Sequence, residues 1–266
     1  MITSTANAQI KNIVKLQKSS RARKEQQVFL VEGIRMFREI PEAMHRKTYV
    51  TEVWTEQLPK HWQEGTEYEV VSENVFREIS DTMSPQGILS VVQQMHYDRE
   101  ALLGTSGCVP CILLLENLQD PGNLGTILRT AEGAGVTGIM MSRDTVDVYN
   151  SKVVRATMGA VFRMPFYYEE RILDGLHWLQ EQGICCYAAH LKGKEFYDYD
   201  YRTGCCFLIG NEGNGLTPEI SGTADRLIRI PMQGNVESLN AATAATVLMY
   251  EAMRQRLRTD GDHGNI

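Results

Sequence analysis

The sequence predicts an α/β fold in two domains. Apolar strand-like runs alternate with helical runs along most of the 266 residues. In the second half the strand runs are apolar throughout, which is typical of strands buried on both faces of a parallel sheet. A polar, glycine-bearing stretch at 96–110 separates the halves. We therefore expect a substrate domain at 1–98, a linker at 99–109, a larger domain at 110–258 and a flexible tail at 259–266.

The first domain should begin with a helical segment. Ile10, Ile13, Val14 and Leu16 recur near helical spacing, and lysines occupy the opposite face. Strands are then expected at QQVFLVEG, KTYVTEVWTE, EYEVVS and GILSVVQQM, and helices at IRMFREI and ENVFREIS. This mixture predicts a small α/β module.

The second domain continues the alternation. Its strands are expected at CILLLEN, TGIMMS, MPFYY, GICCYAAH, CCFLIGN and RLIRIPM. Helices should follow Gly122, Asn150, Glu169, Thr217 and Ser238. Open parallel sheets bind ligands beyond the carboxyl ends of their strands, so the loops at those ends are where a site is expected.

Charge is distributed unevenly along the chain. The whole chain has a formal net charge of −6, whereas residues 1–48 hold ten Lys/Arg and four Glu, a net of +6, which leaves −12 for the remainder. Binding of a polyanion depends on local charge, so this asymmetry favours a basic nucleic-acid-binding module joined to an acidic domain. An ordinary solvated helix face is the alternative.

The sequence indicates neither a membrane span nor a metal site. No apolar run reaches 18 residues, and basic residues interrupt the first 25, so we expect a cytoplasmic protein without a signal peptide. Cys108-Val-Pro-Cys111 has the spacing of a redox or metal motif, but no second CxxC or His pair accompanies it. The pairs at 185–186 and 205–206 lie in apolar runs, where thiols pack as small hydrophobes.

Three loops at predicted strand ends carry unusual chemistry, and the first lies in LLLENLQDPGNLGTILRTAEGAG. Its DPG tripeptide is a turn signal, and Asn123 is placed to cap a helix that begins near Leu124. Arg129 follows on that helix, and an arginine with an asparagine at the helix start can hold a phosphate or a polarised hydroxyl. The alternative is a surface ion pair between Arg129 and Glu132.

The second loop is FLIGNEGNGL, residues 207–216. Gly210, Gly213 and Gly215 allow close approach of the backbone to a ligand, so that N–H and C=O groups could pair with the edge of an adenine. Glu212 is its one charged side chain. The alternative is an ordinary tight turn.

The third loop lies at the start of the stretch IPMQGNVESLNAATAATVLMYEAMRQR, residues 230–256. Ser238 is the expected N-cap of the following helix, where it and Asn240 present a hydroxyl and an amide. That helix has a small side of alanines and a bulky side that includes Met249 and Met253. The alternative is an ordinary capped amphipathic helix.

Together the three loops closely resemble the three motifs of the SpoU (TrmH) family of RNA 2'-O-ribose methyltransferases, in the SPOUT superfamily. NSKVVRATMGAVFRMPF at 150–166 is also similar to the family, and the resemblance covers essentially all of 110–257. More loosely, KLQKSSRARKEQQVFLVEGIRMFREI resembles the family's substrate-binding module.

The resemblance implies a C-terminal trefoil-knotted SPOUT methyltransferase domain, preceded by a small α/β ribosomal-protein-like RNA-binding domain. It implies S-adenosylmethionine as the cofactor, no metal, and a homodimer packed partly through the last helix, whose alanine and methionine faces would then have a use. The implied cofactor contacts are Gly210, Asn211, Ile230, Met232 and Leu239.

The implied reaction is methyl transfer to a ribose 2'-hydroxyl. Arg129 is the implied central catalytic residue, accompanied by Asn123, Glu212, Ser238 and Asn240. Arginine stays protonated in proteins. Our hypothesis is therefore that Arg129 grips the phosphate beside the target ribose and stabilises the developing alkoxide. Asn123 would hold the Arg129 loop, and the other three would shape the pocket.

The basic first domain would bind the RNA. The candidate phosphate contacts are Lys11, Lys15, Arg21, Arg23, Lys24 and Arg35, with Arg155 as a further contact near the active site. Ribosomal RNA is favoured over tRNA. The alternatives are a tRNA 2'-O-methyltransferase and a non-catalytic RNA-binding protein with a knotted fold; an oxidoreductase is disfavoured because no G-x-G-x-x-G follows a strand. These motifs do not identify the RNA, the nucleotide or the base.

Overall fold

The computed structural model describes residues 1–57 and 67–259. The chain divides into two compact units. The first unit comprises Met1–Met95 and Asp147–Phe162, and the second comprises His96–Val146 and the chain from Arg163 onward. The predicted flexible tail lies outside the described residues from 260 onward.

The strands of the described residues are β1 (Val28–Glu32), β2 (His45–Val50), β3 (Tyr68–Val70), β4 (Ile88–Gln93), β5 (Cys111–Leu115), β6 (Gly138–Ser142), β7 (Phe166–Glu169), β8 (Cys185–Glu195), β9 (Cys205–Ile209) and β10 (Arg226–Arg229). The α-helices are α1 (Ala8–Lys18), α2 (Ser20–Gln26), α3 (Ile34–Phe37), α4 (Glu52–Thr55), α5 (Glu73–Ile79), α6 (Pro121–Gly133), α7 (Ser151–Thr157), α8 (Ile172–Glu181), α9 (Pro218–Thr223) and α10 (Ala241–Thr259). Each strand expected from the sequence is present, although β2 ends early because α4 takes up the second half of its predicted run.

The first unit is built on a four-stranded sheet in the order β1-β4-β2-β3. β4 is antiparallel to both of its neighbours, and β2 and β3 are parallel. The N-terminal helical run forms two helices because Ser19 interrupts it: its hydroxyl accepts the N–H of Ala22 and caps α2. Ile10, Ile13 and Leu16 are fully buried on one face of α1, as their spacing predicts.

The second unit is an all-parallel sheet of six strands in the order β10-β8-β9-β5-β6-β7. All five residues of β5 are buried, which confirms the prediction from its uninterrupted apolar run. Ile112 and Leu114 pack in one core cluster with side chains of α8 and α9, while α10 packs against α6, β5 and β9. The central strands therefore lie between helices on both faces.

The division into units differs from the predicted domains in two places. Asp147–Phe162, which the sequence analysis assigned to the second domain, packs with the first unit because α7 lies against β1 and Asp147 pairs with Arg23. The expected linker at 99–109 is not a free connection. It contains a short 3₁₀-helix whose Leu102 is fully buried in the core of the second unit, against Gly138.

Candidate functional site

The site candidates of the second unit gather around the carboxyl ends of β5 and β9. These strands are parallel neighbours in register from Cys111 beside Cys205 to Leu115 beside Ile209, so both chains leave the sheet at the same edge. The chain adds β6 and β7 on one side of β5, and β9 and β8 on the other. Such a reversal opens a crevice in which α/β proteins bind ligands.

The carboxylate of Glu212 joins the glycine loop to the first loop. Its Oε1 accepts hydrogen bonds from the backbone N–H of Asp120 at 3.0 Å and from the Asn123 amide at 3.1 Å. Its Oε2 accepts the N–H of Gln119 at 3.2 Å. One side chain therefore fixes three groups that lie about 90 residues away in the sequence.

Asn123 extends this connection to the third loop. The Asn240 amide donates to Asn123 Oδ1 at 2.8 Å, while Asn240 Oδ1 accepts the N–H groups of Ala242 at 2.9 Å and Thr243 at 3.3 Å. Asn123 thus uses its amide N–H on Glu212 and its carbonyl oxygen on Asn240. The three loops that the sequence predicted as functional meet at this one asparagine, which we call the Asn123 junction.

The helix caps differ from the predicted ones. Asp120, rather than Asn123, is the N-cap of α6, with its carboxylate accepting the Asn123 N–H at 2.7 Å. Asn240, rather than Ser238, caps α10 through its side-chain oxygen. Because Asp120 caps α6, the amide N–H and the oxygen of the Asn123 side chain both serve contacts between loops, to Glu212 and Asn240. Ser238 lies outside the helix and is exposed.

Arg129 is exposed on α6, the same helix as Asn123. Within residues 1–57 and 67–259 its guanidinium has no hydrogen-bond or ion-pair partner. The alternative ion pair with Glu132 does not form, since Glu132 pairs with Arg163. Arg129 is therefore a cation available to an anionic ligand.

The pKa of Glu212 lies below its ordinary value. Desolvation raises this pKa, but hydrogen bonds from the Asn123 amide and from the N–H groups of Asp120, Glu212 itself and Gln119 together lower it by more. Glu212 is consequently ionised at neutral pH, and a carboxylate with a lowered pKa is a poorer proton acceptor. Its geometry fits a clamp between loops better than a general base.

Asn211 closes the glycine loop on itself. Its backbone exchanges two hydrogen bonds with Gly215, its Oδ1 accepts the N–H of Gly213 at 2.9 Å, and its amide donates to the carbonyl of Asn117 at 2.8 Å. A Cβ on Gly210 would lie only 2.1 Å from the carbonyl carbon of Gly215, so this return path requires glycine. Asn211 shapes the loop, and its polar groups are already engaged within the protein.

Unlike Asn211, the segment 230–239 can offer backbone polar groups to a ligand. Among the described residues, none forms a hydrogen bond with this stretch, although Ile230, Met232 and Leu239 are half-buried. Half-buried backbone groups without protein partners are costly unless a ligand or water satisfies them. The apolar side chains and the available N–H and C=O groups suit a flat heteroaromatic ring with a polar edge.

Two positions near the site were not singled out from the sequence. Glu116, 3% exposed, accepts the Thr217 hydroxyl and the Thr217 N–H, each at 2.8 Å. It thereby fixes the end of the glycine loop, where Thr217 caps α9. Asn117 has a φ of +55°, a left-handed conformation, and Ser142 holds it through the Asn117 N–H and Oδ1. A carboxylate that follows a buried strand was the available signal for Glu116, because such a charge needs partners.

The predicted RNA contacts fall into three groups: exposed side chains, side chains held in ion pairs, and the buried Arg23. Lys11, Lys15, Lys24 and Arg35 are exposed, and their side chains have no partner in the part of the chain that the structure describes. Arg21 is exposed in an ion pair with Glu25, and Arg155 belongs to the first unit, where it pairs with Asp81 at 3.3 Å.

The prediction for Arg23 is wrong. Its side chain is buried, with the residue 4% exposed, and it pairs with Asp147 and donates to the carbonyls of Leu16 and Gln17. Because every nitrogen of its guanidinium is engaged inside the first unit, Arg23 has no group left to offer a phosphate.

The cysteines have no metal geometry. Within the described ranges, no group of three or more His, Cys, Asp or Glu side chains could hold a metal ion. Cys108 is exposed, whereas Cys111 is buried in β5 with its Sγ 3.8 Å from that of Cys205. No helix among the described residues is long and apolar enough to cross a membrane.

Comparison with known proteins divides the chain much as the sequence predicts, with Asp147–Phe162 inside the C-terminal match. Residues 110–250 match the SpoU rRNA Methylase family, and residues 7–90 match the MRM3-like substrate binding domain. The chain is 29% identical over 253 residues to the 23S rRNA (guanosine(2553)-2'-O)-methyltransferase RlmP of Bacillus subtilis, covering 94% of this chain and 97% of that protein. It is 31% identical to an uncharacterized tRNA/rRNA methyltransferase of Synechocystis, covering 96% of this chain and 94% of that protein.

Among solved structures, an AdoMet-bound rRNA methyltransferase of Sinorhizobium meliloti has a TM-score of 0.84 at 31% identity, over 95% of this chain and 97% of the other. The similarity confirms the mixed α/β fold and the family expected from the three loops. The chain belongs to the SpoU rRNA methylase family.

Proposed function

We propose that this protein transfers a methyl group from S-adenosylmethionine to a ribose 2'-hydroxyl of ribosomal RNA. The observation that carries the proposal is the Asn123 junction together with Arg129 of the same helix, whose guanidinium has no partner among the described residues. The Bacillus subtilis relative is a 23S rRNA 2'-O-methyltransferase, and the Sinorhizobium meliloti structure binds AdoMet. The tRNA alternative has less support, because the relatives that match over most of the chain are named for rRNA or for both RNAs.

The residues present fit S-adenosylmethionine. The half-buried segment 230–239, with Ile230, Met232 and Leu239, supplies apolar contacts and backbone groups that have no partner among the described residues. The adjacent glycine loop returns at Gly210 without a side chain. The cofactor would supply a methyl group on a sulfonium, so this chain needs only to orient the reactants and stabilise charge.

Arg129 is proposed as the catalytic residue. Its guanidinium remains protonated, so it binds the phosphate beside the target ribose and stabilises the oxyanion that develops on the 2'-oxygen. Ser238 is exposed in the segment 230–239, and we propose that it lines the hydroxyl pocket. Glu212, Asn123 and Asn240 keep the three loops in one arrangement, and the ionised Glu212 does so as an acceptor.

The first unit is proposed to bind the RNA. Lys11, Lys15, Lys24 and Arg35 leave exposed, unpaired cations on it among the described residues, which suits a phosphate backbone. Its match to a substrate binding domain supports the same role.

The knot, the homodimer and the cytoplasmic location belong to this proposal. The knot is proposed because the chain belongs to the SpoU family; α10 packs against α6 and β5, and Arg256 donates to the carbonyls of Val109 and Pro110. One part of the dimer hypothesis needs correction: Ala242, Ala245 and Met249 of α10 are buried within their own unit. The exposed Tyr250 and Leu257 are the apolar surface that α10 leaves for a second copy.

The test is direct methylation. Purified protein is incubated with S-adenosylmethionine and unmodified ribosomal RNA or tRNA, and the nucleosides are analysed by mass spectrometry. We expect a 2'-O-methylnucleoside in ribosomal RNA alone. A product in tRNA alone would transfer the activity to tRNA, and no product in either, with RNA bound, would favour the non-catalytic alternative.

A further inference from the structure

The first unit has a cleft of about 460 Å³, separate from the residues of the methyl-transfer site. One wall is the start of α3, with Gly33 and Arg35, and another is Gln86 before β4. Arg155 and Met158, at the end of α7, complete the wall. Pockets of about 300–1,000 Å³ hold small organic ligands, so this cleft is larger than an inorganic ion requires.

Two arginines give the cleft its positive groups. Arg155 is held in place, because its guanidinium pairs with Asp81 Oδ2 at 3.3 Å and contacts the Asp81 carbonyl at 3.5 Å. Arg35 is exposed, and the described residues include no hydrogen-bond or ion-pair partner for it. A held guanidinium beside a free one is an arrangement that can receive a phosphodiester by charge-assisted hydrogen bonds.

The acidic groups of the cleft are already engaged by the loop beside it. Oε1 of Glu32 accepts the hydroxyls of Ser80 and Thr82, and its Oε2 accepts the N–H of Asp81. The Asp81 carboxylate bonds to the Ser151 hydroxyl and to Arg155. These contacts fix the loop, and Arg35 is a charged side chain of the cleft that has no partner in the part of the chain that the structure describes.

Gln86 supplies a neutral polar edge. Its Oε1 accepts the N–H of Ile34 at 3.1 Å, which leaves its amide N–H groups without a partner in the described chain. Gly33 permits this arrangement, because it has a φ of +94° and an added Cβ would lie 2.9 Å from Gln86 Oε1. A fixed amide is the kind of group that reads the edge of a nucleobase.

The same cleft has an apolar part. Met158 is 38% exposed and has a φ of +50°, a conformation that non-glycine residues seldom adopt. Ile34 is half-buried across the cleft. A flexible, polarisable methionine makes favourable contacts with aromatic rings, and it adapts to rings of different size.

We propose that this cleft binds one unpaired nucleotide of the RNA substrate, with its phosphate on Arg35 and Arg155, its base between Met158 and Ile34, and its base edge on Gln86. The proposal rests on RNA as the substrate of the proposed function. A base within a duplex is stacked and cannot enter a cleft, so the ligand is a bulged or looped nucleotide. The cleft would then add recognition of RNA structure to the general attraction of the exposed cations of the first unit.

Crosslinking and binding by the full-length protein test the proposal without any methyl transfer. The probe is a single-stranded RNA of about 12 nucleotides that carries 4-thiouridine, together with its duplex. Arg35→Gln removes the free cation, and Lys18→Gln is the matched control because Lys18 is an exposed cation outside the cleft. Gln86→Ala removes the neutral edge.

Photocrosslinks are expected at residues 33–36 or 155–158 of the wild type. Arg35→Gln should weaken single-strand binding about tenfold, and Lys18→Gln about twofold or less. Gln86→Ala should weaken it several-fold without changing its dependence on salt, because no charge is removed. Circular dichroism confirms that each variant is folded.

Crosslinks confined to other residues, or equal effects of Arg35→Gln and Lys18→Gln, would overturn the nucleotide site. So would equal weakening of duplex and single-strand binding by Arg35→Gln, since that marks a contact to the backbone alone. These results leave methylation of ribosomal RNA by the wild type untouched. Conversely, specific crosslinks in the cleft with no methyl transfer to any RNA would remove the proposed function and keep the cleft.

Discussion

The two units use polar side chains in opposite ways. In the second unit, Glu212, Asn123 and Asn240 are linked by hydrogen bonds across loops that are distant in sequence, and Arg129 has no partner among the described residues. In the first unit, the cations of α1 and α2 mostly face solvent, and Arg23 alone turns inward. The difference teaches that a site for chemistry is fixed by mutual hydrogen bonds, whereas a surface for a polyanion needs only unpaired charge.

The largest expected effect concerns Arg23, which is buried whereas the other cations of α1 and α2 are exposed. Arg23→Ala leaves Asp147 without its main partner and two carbonyls without a donor, so we expect a loss of about 3–5 kcal/mol in the free energy of unfolding. Urea unfolding followed by circular dichroism measures it. The exposed neighbour is the control, and Lys24→Ala should change stability by less than about 0.5 kcal/mol. Similar stability of the two variants would show that Arg23 is not a structural residue.

Arg129→Ala should strongly reduce catalysis without loosening the site. We expect turnover to fall by about 10²–10³-fold, because the charge that stabilises the developing oxyanion is removed. The rise in melting temperature on addition of S-adenosylmethionine should remain, since the Asn123 junction is intact. Arg143→Ala, which removes another exposed arginine of the same unit, is the control and should leave turnover unchanged. Wild-type turnover in the Arg129 variant would eliminate its catalytic role.

A smaller effect is expected at the far end of the glycine loop. Thr217→Val keeps the shape of the side chain but removes the hydroxyl that donates to Glu116 and accepts the Ile220 N–H. We expect a loss of about 1–3 kcal/mol in stability, together with a raised KM for S-adenosylmethionine and a nearly unchanged kcat. Thr217→Ser should restore both. A change in kcat with KM unaltered would contradict a positioning role for this pair.

The smallest expected effect concerns pH. The pKa of Glu212 in the folded protein is below its ordinary value, so its stabilising contribution is complete above that ordinary value and is lost as the pH falls through the folded pKa. Ionisation of Glu212 should therefore cause no rise or fall in the methylation rate between about pH 6 and 9. Glu212→Gln should lower the rate equally across that range. If the wild-type rate rose or fell with pH in this range and the variant lost that change, Glu212 would be identified as a general base instead.

Much of the architecture was predictable because it depends on local patterns. The strands of the second unit were expected from uninterrupted apolar runs, and β5 is buried along its whole length as such a run requires. The order in which those strands pair was not expected, because each apolar run fits any central position of the sheet equally well.

The caps show why the site could be predicted only in part. Asp120 and Asn123 are equally good cap residues in isolation, but Asn123 Oδ1, the atom that would cap the helix, accepts the Asn240 amide from 117 residues away instead. Arg23 was misassigned for a related reason. Its charge is evident from the sequence, but the carboxylate of Asp147 that binds its guanidinium is 124 residues away.

The bond between Asn240 and Asn123 spans 117 residues, and it sets the time at which the site exists. A chain still being synthesised can carry α6 and Arg129 well before Asn240 has been added. During that interval Asn123 cannot bond to Asn240, so the emerging polypeptide has Arg129 but not the assembled site. Methylation competence would then arise only after Asn240 has been added.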